Sequence, residues 1–173
     1  MFEEWEMQVE CLSDIDSRWL SGDFGIVWEQ SSLFPTLPPK LRLRSVKEDM
    51  KRLPAGQSDS AKFYVGFWQD KNLLAVLDFV LGYPDKQTVF IGLFMVHQVY
   101  QRTGLGSQII AGVLAYFSRN FEKVRLAYVK SNPQAQYFWQ KQGFQPTGLE
   151  AEEGDIRLII ADKQLWAIAS TDV

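Results

Sequence analysis

The chain has 173 residues, a net charge of −3 and a composition that is 46% hydrophobic and 23% charged. That suits one folded domain with a sizeable core, expected to span 1–173. A single cysteine, Cys11, and a single histidine, His97, exclude a disulfide framework and Cys- or His-rich zinc sites, so no metal is expected. No basic stripe with interleaved aromatics points to nucleic acid, no apolar run approaches about 18 residues, and the acidic start MFEEWEMQVE lacks a signal-peptide pattern, so neither nucleic acid nor membrane is an expected partner and a reducing cytoplasm is the expected compartment.

Residues 5–12 (WEMQVECL) read as a first strand, and Asp14 or Asp16 can cap a helix running to about residue 30. Over 1–30 there are eight acids against Arg18 alone, an acidic face that is either solvated or attractive to a cationic substrate. SSLFPTLPPK (31–40) is a loop, because three prolines exclude regular helix. A second helix is expected over 44–53, ending at Pro54. KFYVGFWQ (62–69), LLAVLDFVL (73–81) and TVFIGLFMV (88–96) are β-branched and aromatic runs joined by the short turns DKN and GYPDKQ, so they should form an antiparallel meander. From about Gly104 to Arg119 the apolar residues Leu105, Ile109, Ile110, Val113, Leu114 and Phe117 share one helical face. VRLAYV (124–129) is a strand. Asn132 as N-cap, Pro133 as first residue and Gly143 as stop bound a helix over 133–142. Two strands close the chain, near 144–150 and 155–161. The strand–helix–strand unit over 88–129 should be a right-handed parallel crossover.

Between strand and helix lies YQRTGLGSQII (100–110). It is not a dinucleotide fingerprint: Ile109 stands where the third glycine belongs, and seven residues separate Val96 from Gly104. It lacks the Gly-Lys-Ser/Thr of a Walker loop. Its physical character is still that of an anion cradle. The amides of Arg102–Ser107 converge on a helix N-terminus, the two glycines let backbone approach a ligand, Arg102 adds charge, and Thr103 and Ser107 add hydroxyls. An ordinary tight loop is the competing reading.

The stretch FIGLFMVHQVYQRTGLGSQII resembles the acetyl-CoA-binding motif of the GNAT N-acetyltransferase superfamily: a strand, a Gln/Arg-x-x-Gly-x-Gly/Ala loop and a helix. Gln101, Gly104 and Gly106 fill its defined places. VRLAYVKSNPQAQYFWQKQGF resembles the second family block, with Asn132, Ala135, Phe138–Trp139 and Gly143–Phe144 in position. The resemblance covers roughly 62–163, whereas 1–61 match only in broad element order. It implies an α/β (α+β) GNAT fold: a mixed, mostly antiparallel central sheet of about six to seven strands flanked by helices, with the fourth and fifth strands (88–96 and 124–129) parallel and splayed.

The resemblance also implies function. Backbone amides of Gln101, Arg102, Thr103, Gly104, Leu105, Gly106 and Ser107 would bind the pyrophosphate of acetyl-CoA, the cosubstrate. Phe94, Met95 and Val96 would pair with the pantetheine arm, and Asn132 would contact it. The implied reaction is direct acetyl transfer to a primary amine, on a small molecule or a peptide or protein N-terminus, and the family commonly forms homodimers. The alternative is a non-catalytic acyl-CoA-binding regulator with the same fold.

The family's usual acid, a tyrosine four residues before the closing glycine, is replaced by Trp139, whose indole N–H is far too weak an acid and which packs against the CoA arm or in the core. Tyr137 lies about 200° around the helix from it, off the face shared by Ala135, Phe138, Trp139 and Gln142. Tyr137 is therefore a poor candidate acid, and water or a hydroxyl such as that of Tyr83 is the substitute. For the base, Asp78 interrupts an apolar strand, where a carboxylate is costly unless paired, solvated or functional. It is either the base or a paired or ammonium-binding group. His97 follows the strand end with chemistry suited to proton transfer; Glu29 and Asp85 are further alternatives.

Overall fold

A computed structural model describes residues 7–11 and 53–165. The helix expected after Asp14 or Asp16, the 31–40 loop, Glu29 and all of the 44–53 helix but Leu53 lie outside them. Seven strands follow the order β1-β2-β3-β4-β5-β7-β6: β1 Gln8–Cys11, β2 Lys62–Gln69, β3 Asn72–Leu81, β4 Thr88–Val96, β5 Lys123–Val129, β6 Gln145–Glu153 and β7 Ile156–Gln164. Two helices are described, α1 Leu105–Phe117 and α2 Pro133–Lys141. The sheet is mixed, with β4 and β5 parallel, as expected. Among the described residues no helix is long and apolar enough to cross a membrane.

The chain divides into two compact units. The first holds the described residues up to Val80 together with Gly92–Gly106. In it, β1 and β3 each run antiparallel to β2. Every residue from Leu73 to Val80 is buried, which accounts for the nearly unbroken apolar run of β3. The β2–β3 turn has two residues, Asp70 and Lys71, with φ of 47° and 67°, the geometry of a type I′ hairpin. Neither residue is a glycine, so Lys71→Gly should stabilise the protein by about 0.5–1 kcal/mol, read as a raised thermal midpoint. The ladder slips by one residue between Phe67 and Trp68, which pair with Ala75 and Leu73. Leu74 is thus the extra residue of a β-bulge, and its carbonyl accepts from His97 N at 2.8 Å.

The second unit holds Leu81–Ile91 and the described residues from Ser107 onward. β4 and β5 pair over four positions, Thr88↔Lys123 to Ile91↔Leu126. β7 runs antiparallel to β5 and to β6. In α1, Ile109, Ile110, Gly112, Val113, Leu114 and Phe117 are buried, the expected face with its glycine but without Leu105, which is half-buried in the first turn. β6 and β7 each run about three residues further than their sequence pattern indicates. β6 is an exposed edge strand, so its far half, Glu150–Glu153, carries no apolar alternation to mark it.

The end of α2 is defined by backbone chemistry. Phe144 N donates to Trp139 O at 3.1 Å and Gly143 N to Gln140 O at 2.9 Å, the two bonds of a Schellman motif. The accompanying apolar contact is Trp139 against Phe144, edge to face at 5.2 Å. Gly143 has φ +88°, and a Cβ there would lie 2.5 Å from Lys163 Nζ, which donates to Gln142 O at 2.8 Å. Gly143→Ala should therefore cost about 1–2 kcal/mol, measured by chemical denaturation.

Candidate active site

After Val96 the chain tightens into a braced loop. His97 caps a single 3-10 turn, Gln98–Tyr100, with Nδ1 accepting from Val99 N at 3.2 Å. Gln101 Nε2 reaches back to Val96 O at 2.9 Å, tying the loop to the end of β4. The Thr103 hydroxyl donates to Tyr100 O at 2.6 Å and accepts from Leu105 N at 3.4 Å. The expected hydroxyl pair is therefore reduced to one: the Thr103 proton is committed inside the loop, and Thr103 can offer a ligand only its amide.

Arg102 and Gly104 both adopt left-handed backbone, with φ of 61° and 91°. For Arg102 this costs roughly 1–2 kcal/mol, in a loop that leads directly into α1 at Leu105. The first-turn amides of α1 have no acceptor within the helix. Gly104 is exposed, and a Cβ placed on it would meet nothing within 4 Å. These features fit a phosphate-bearing ligand: donors without helical partners, a positive helix end, an exposed guanidinium, and backbone that a ligand can approach. Ser107, in that first turn, accepts from Gln142 Nε2 at 2.9 Å.

Met95 is buried, and Phe94 and Val96 are half-buried at the end of β4. Asn132 caps α2, its Oδ1 accepting from Ala135 N at 3.1 Å. The cap uses the carbonyl oxygen and leaves the Nδ2 donor for a second role.

The candidate proton carriers are unlike one another. Tyr137 is 70% exposed, as its place on the helix demanded. Tyr137→Phe should leave turnover within a few-fold in a steady-state assay, and a loss near a hundredfold would give Tyr137 the acid's role. Trp139 is 8% exposed and sits between Phe138 and Phe144, with ring centroids at 5.0 and 5.2 Å, as a core side chain. His97 is buried, and its Nδ1 lone pair already accepts a backbone amide, so protonation there would break the cap of the turn. Asp85 lies in the turn before β4. The Thr88 hydroxyl, and then the Gln87 amide and Lys123, outweigh the opposing effect of burial and hold its carboxyl below the usual range, which makes it a poor base. Tyr83 is half-buried, edge-on to Phe90 at 5.7 Å.

Asp78 is the buried carboxylate of β3, and it pairs with Lys62, the first residue of β2, among its contacts, with Nζ 3.0 Å from Oδ2 and side-chain exposures of 8% for Asp78 and 9% for Lys62. The same oxygen lies 2.8 Å from where a Cβ on Gly92 would be, so glycine at that point of β4 lets the carboxylate sit over the strand. Sequence reasoning missed Lys62. The available signal was the register of the β2–β3 hairpin, which a bulge alters. It also missed Gln142 as a partner of Ser107, although it placed Gln142 on the face of α2 shared with Ala135, Phe138 and Trp139. Among the described residues no group of three or more His, Cys, Asp or Glu side chains is placed to hold a metal ion.

A mixed sheet with a parallel fourth and fifth strand, a glycine loop opening the first helix and a second helix capped by asparagine is the architecture of the GNAT fold. Residues 20–144 match the model of the Acetyltransferase (GNAT) family, and the chain belongs to that family. No curated protein matches the sequence. Among solved structures, it is similar to an acetyltransferase from Thermus thermophilus, with a TM-score of 0.68 and 19% identity over 92% of this chain and 97% of that one. It is also similar to a variant of spermidine N-acetyltransferase from Vibrio cholerae, with a TM-score of 0.65 and 14% identity over 93% and 95%. A GNAT family acetyltransferase from Elizabethkingia anophelis with acetyl-CoA bound gives a TM-score of 0.61 and 12% identity over 92% and 98%. At these identities the likeness is one of fold.

Proposed function

We propose that this protein is an N-acetyltransferase that moves an acetyl group directly from acetyl-CoA to a primary amine, on a small molecule or a peptide or protein N-terminus, within one domain and in the cytoplasm. The observation that carries the reading is the loop Gln101–Ser107. Left-handed Arg102 and Gly104 lead into the start of α1, where the helix dipole is positive and the backbone can receive an anion. Bound acetyl-CoA would supply an activated acetyl thioester. The chain supplies the rest: loop amides and Arg102 to hold the pyrophosphate, and Asn132 Nδ2 as a donor to the arm. Tyr137, exposed on the outer face of α2, takes no part in protonating the thiol.

The second reading, a non-catalytic acyl-CoA-binding regulator, draws support from Trp139, which puts a buried indole where the family carries a phenol. A panel of amine acceptors with acetyl-CoA, monitored by release of CoA thiol, tests both. Amine-dependent thiol release supports the enzyme. Thermal stabilisation by CoA with no turnover on any acceptor supports the regulator, and stabilisation by ATP or NAD but not CoA overturns both.

A further inference from the structure

The hydroxyl of Ser107 is oriented from outside its own helix. Ser107 lies in the first turn of α1, and its Oγ accepts a hydrogen bond from Gln142 Nε2 at 2.9 Å. A hydroxyl has one proton and two acceptor positions. With one acceptor position filled by Gln142, the proton is the part of Ser107 left to interact with an anion at the helix N-terminus. Gln142 is itself fixed. It is the C-cap of α2, its N–H donates to Phe138 O at 3.1 Å, and its carbonyl accepts from Lys163 Nζ at 2.8 Å. Gly143 has no Cβ to exclude that lysine. A chain of contacts thus runs from Lys163 on β7, through the end of α2, to the hydroxyl beside the glycine loop.

We propose that Gln142 is a positioning residue for the donor site, which polarises Ser107 and aims its O–H at the CoA pyrophosphate. This rests on the acetyl-CoA reading above. Gln142 touches no ligand itself; it acts through Ser107. A hydroxyl that accepts one hydrogen bond donates a stronger one, and the ligand is an anion, for which such donors are roughly twice as effective as for a neutral group.

The test compares CoA with S-acetyl-pantetheine, which carries the thioester but no pyrophosphate. Gln142→Met keeps the side chain's length and removes its donor. Gln142→Glu replaces the donor by a carboxylate, which would take the Ser107 proton away from the ligand. Titration calorimetry should show CoA binding weakened about fivefold by Gln142→Met and further by Gln142→Glu, as for loss of one modest hydrogen bond. KM for S-acetyl-pantetheine, or its dissociation constant if there is no turnover, should stay within twofold. Ser107→Ala should weaken CoA similarly, and adding Gln142→Met to it should change little more, because both act through one hydroxyl. Ser107→Ala alone also serves should a Gln142 variant fail to fold. CoA affinity unchanged in Gln142→Met, an equal loss with S-acetyl-pantetheine, or full additivity with Ser107→Ala would each overturn the role of Gln142 while leaving the acetyl-CoA reading intact. Absence of CoA binding by the parent protein would overturn both.

Discussion

Gly104→Asp should bind CoA on the order of a hundredfold more weakly than the parent protein, and Gly104→Asn only several-fold more weakly. Gly104 has φ +91°, and a side chain placed there meets no atom within 4 Å. Steric conflict inside the protein is thus small, and the backbone strain is shared by both variants, since Asn and Asp tolerate left-handed backbone to similar extents. What separates them is one negative charge at a helix N-terminus proposed to hold a pyrophosphate. Like charges at that range cost several kcal/mol, and about 2.7 kcal/mol is a hundredfold in affinity. Calorimetric titration of both variants makes the comparison, with circular dichroism to verify folding. Equal affinities for the Asp and Asn variants would remove the pyrophosphate from this loop.

The second large effect is one of stability. Lys62→Met alone should destabilise the protein by about 3–5 kcal/mol, because it takes the Lys62 charge away from a buried carboxylate. Asp78→Leu should also destabilise the protein, by removing the carboxylate that Lys62 Nζ meets at 3.0 Å. The double variant Lys62→Met/Asp78→Leu should return to within about 1–2 kcal/mol of the parent, since an apolar pair in place of a buried ion pair is often neutral or better. Urea denaturation of all four proteins closes the cycle. The double variant also decides the catalytic question. The Lys62 ammonium already occupies Asp78 Oδ2, and accepting a substrate proton there would mean giving up that contact. Oδ1 is not engaged by Lys62, so the ion pair by itself does not assign the role of Asp78; with a purely supporting role, turnover in the double variant should stay within a few-fold of the parent. A folded double variant with turnover reduced a hundredfold would make Asp78 the base.

Much of the architecture was legible in the residues. Asn132, Pro133 and Gly143 bounded α2 to within one residue, because capping is local chemistry and each cap has its own residue preference. The meander over 62–96 followed from three β-branched and aromatic runs separated by turn residues. The glycine loop stood out in the residues because a helix N-terminus and left-handed backbone leave a short-range trace. Thr103 and Ser107 are alike in sequence, but the structure separates them: the Thr103 hydroxyl is turned inward by a carbonyl three residues earlier. β6 was underestimated because an exposed edge strand has no buried face to impose alternation.

The sequence by itself determined where α2 starts and stops, most of the buried face of α1, and that a glycine loop precedes α1, because propensity, periodicity and capping act over a few residues. Only the tertiary structure decided which distant side chains meet. Carried without slippage from the Gln69↔Asn72 turn, the β2–β3 ladder would set Lys62 opposite Phe79, on the other face of the sheet from Asp78. The single extra residue at Leu74 moves Lys62 opposite Val80 instead, onto the face that Asp78 shares, and the ion pair forms. In the same way, Gln142 and Ser107 are 35 positions apart, and nothing local joins them. Strand register and helix packing are sums over many long-range contacts, and a one-residue shift in either changes every pair that follows.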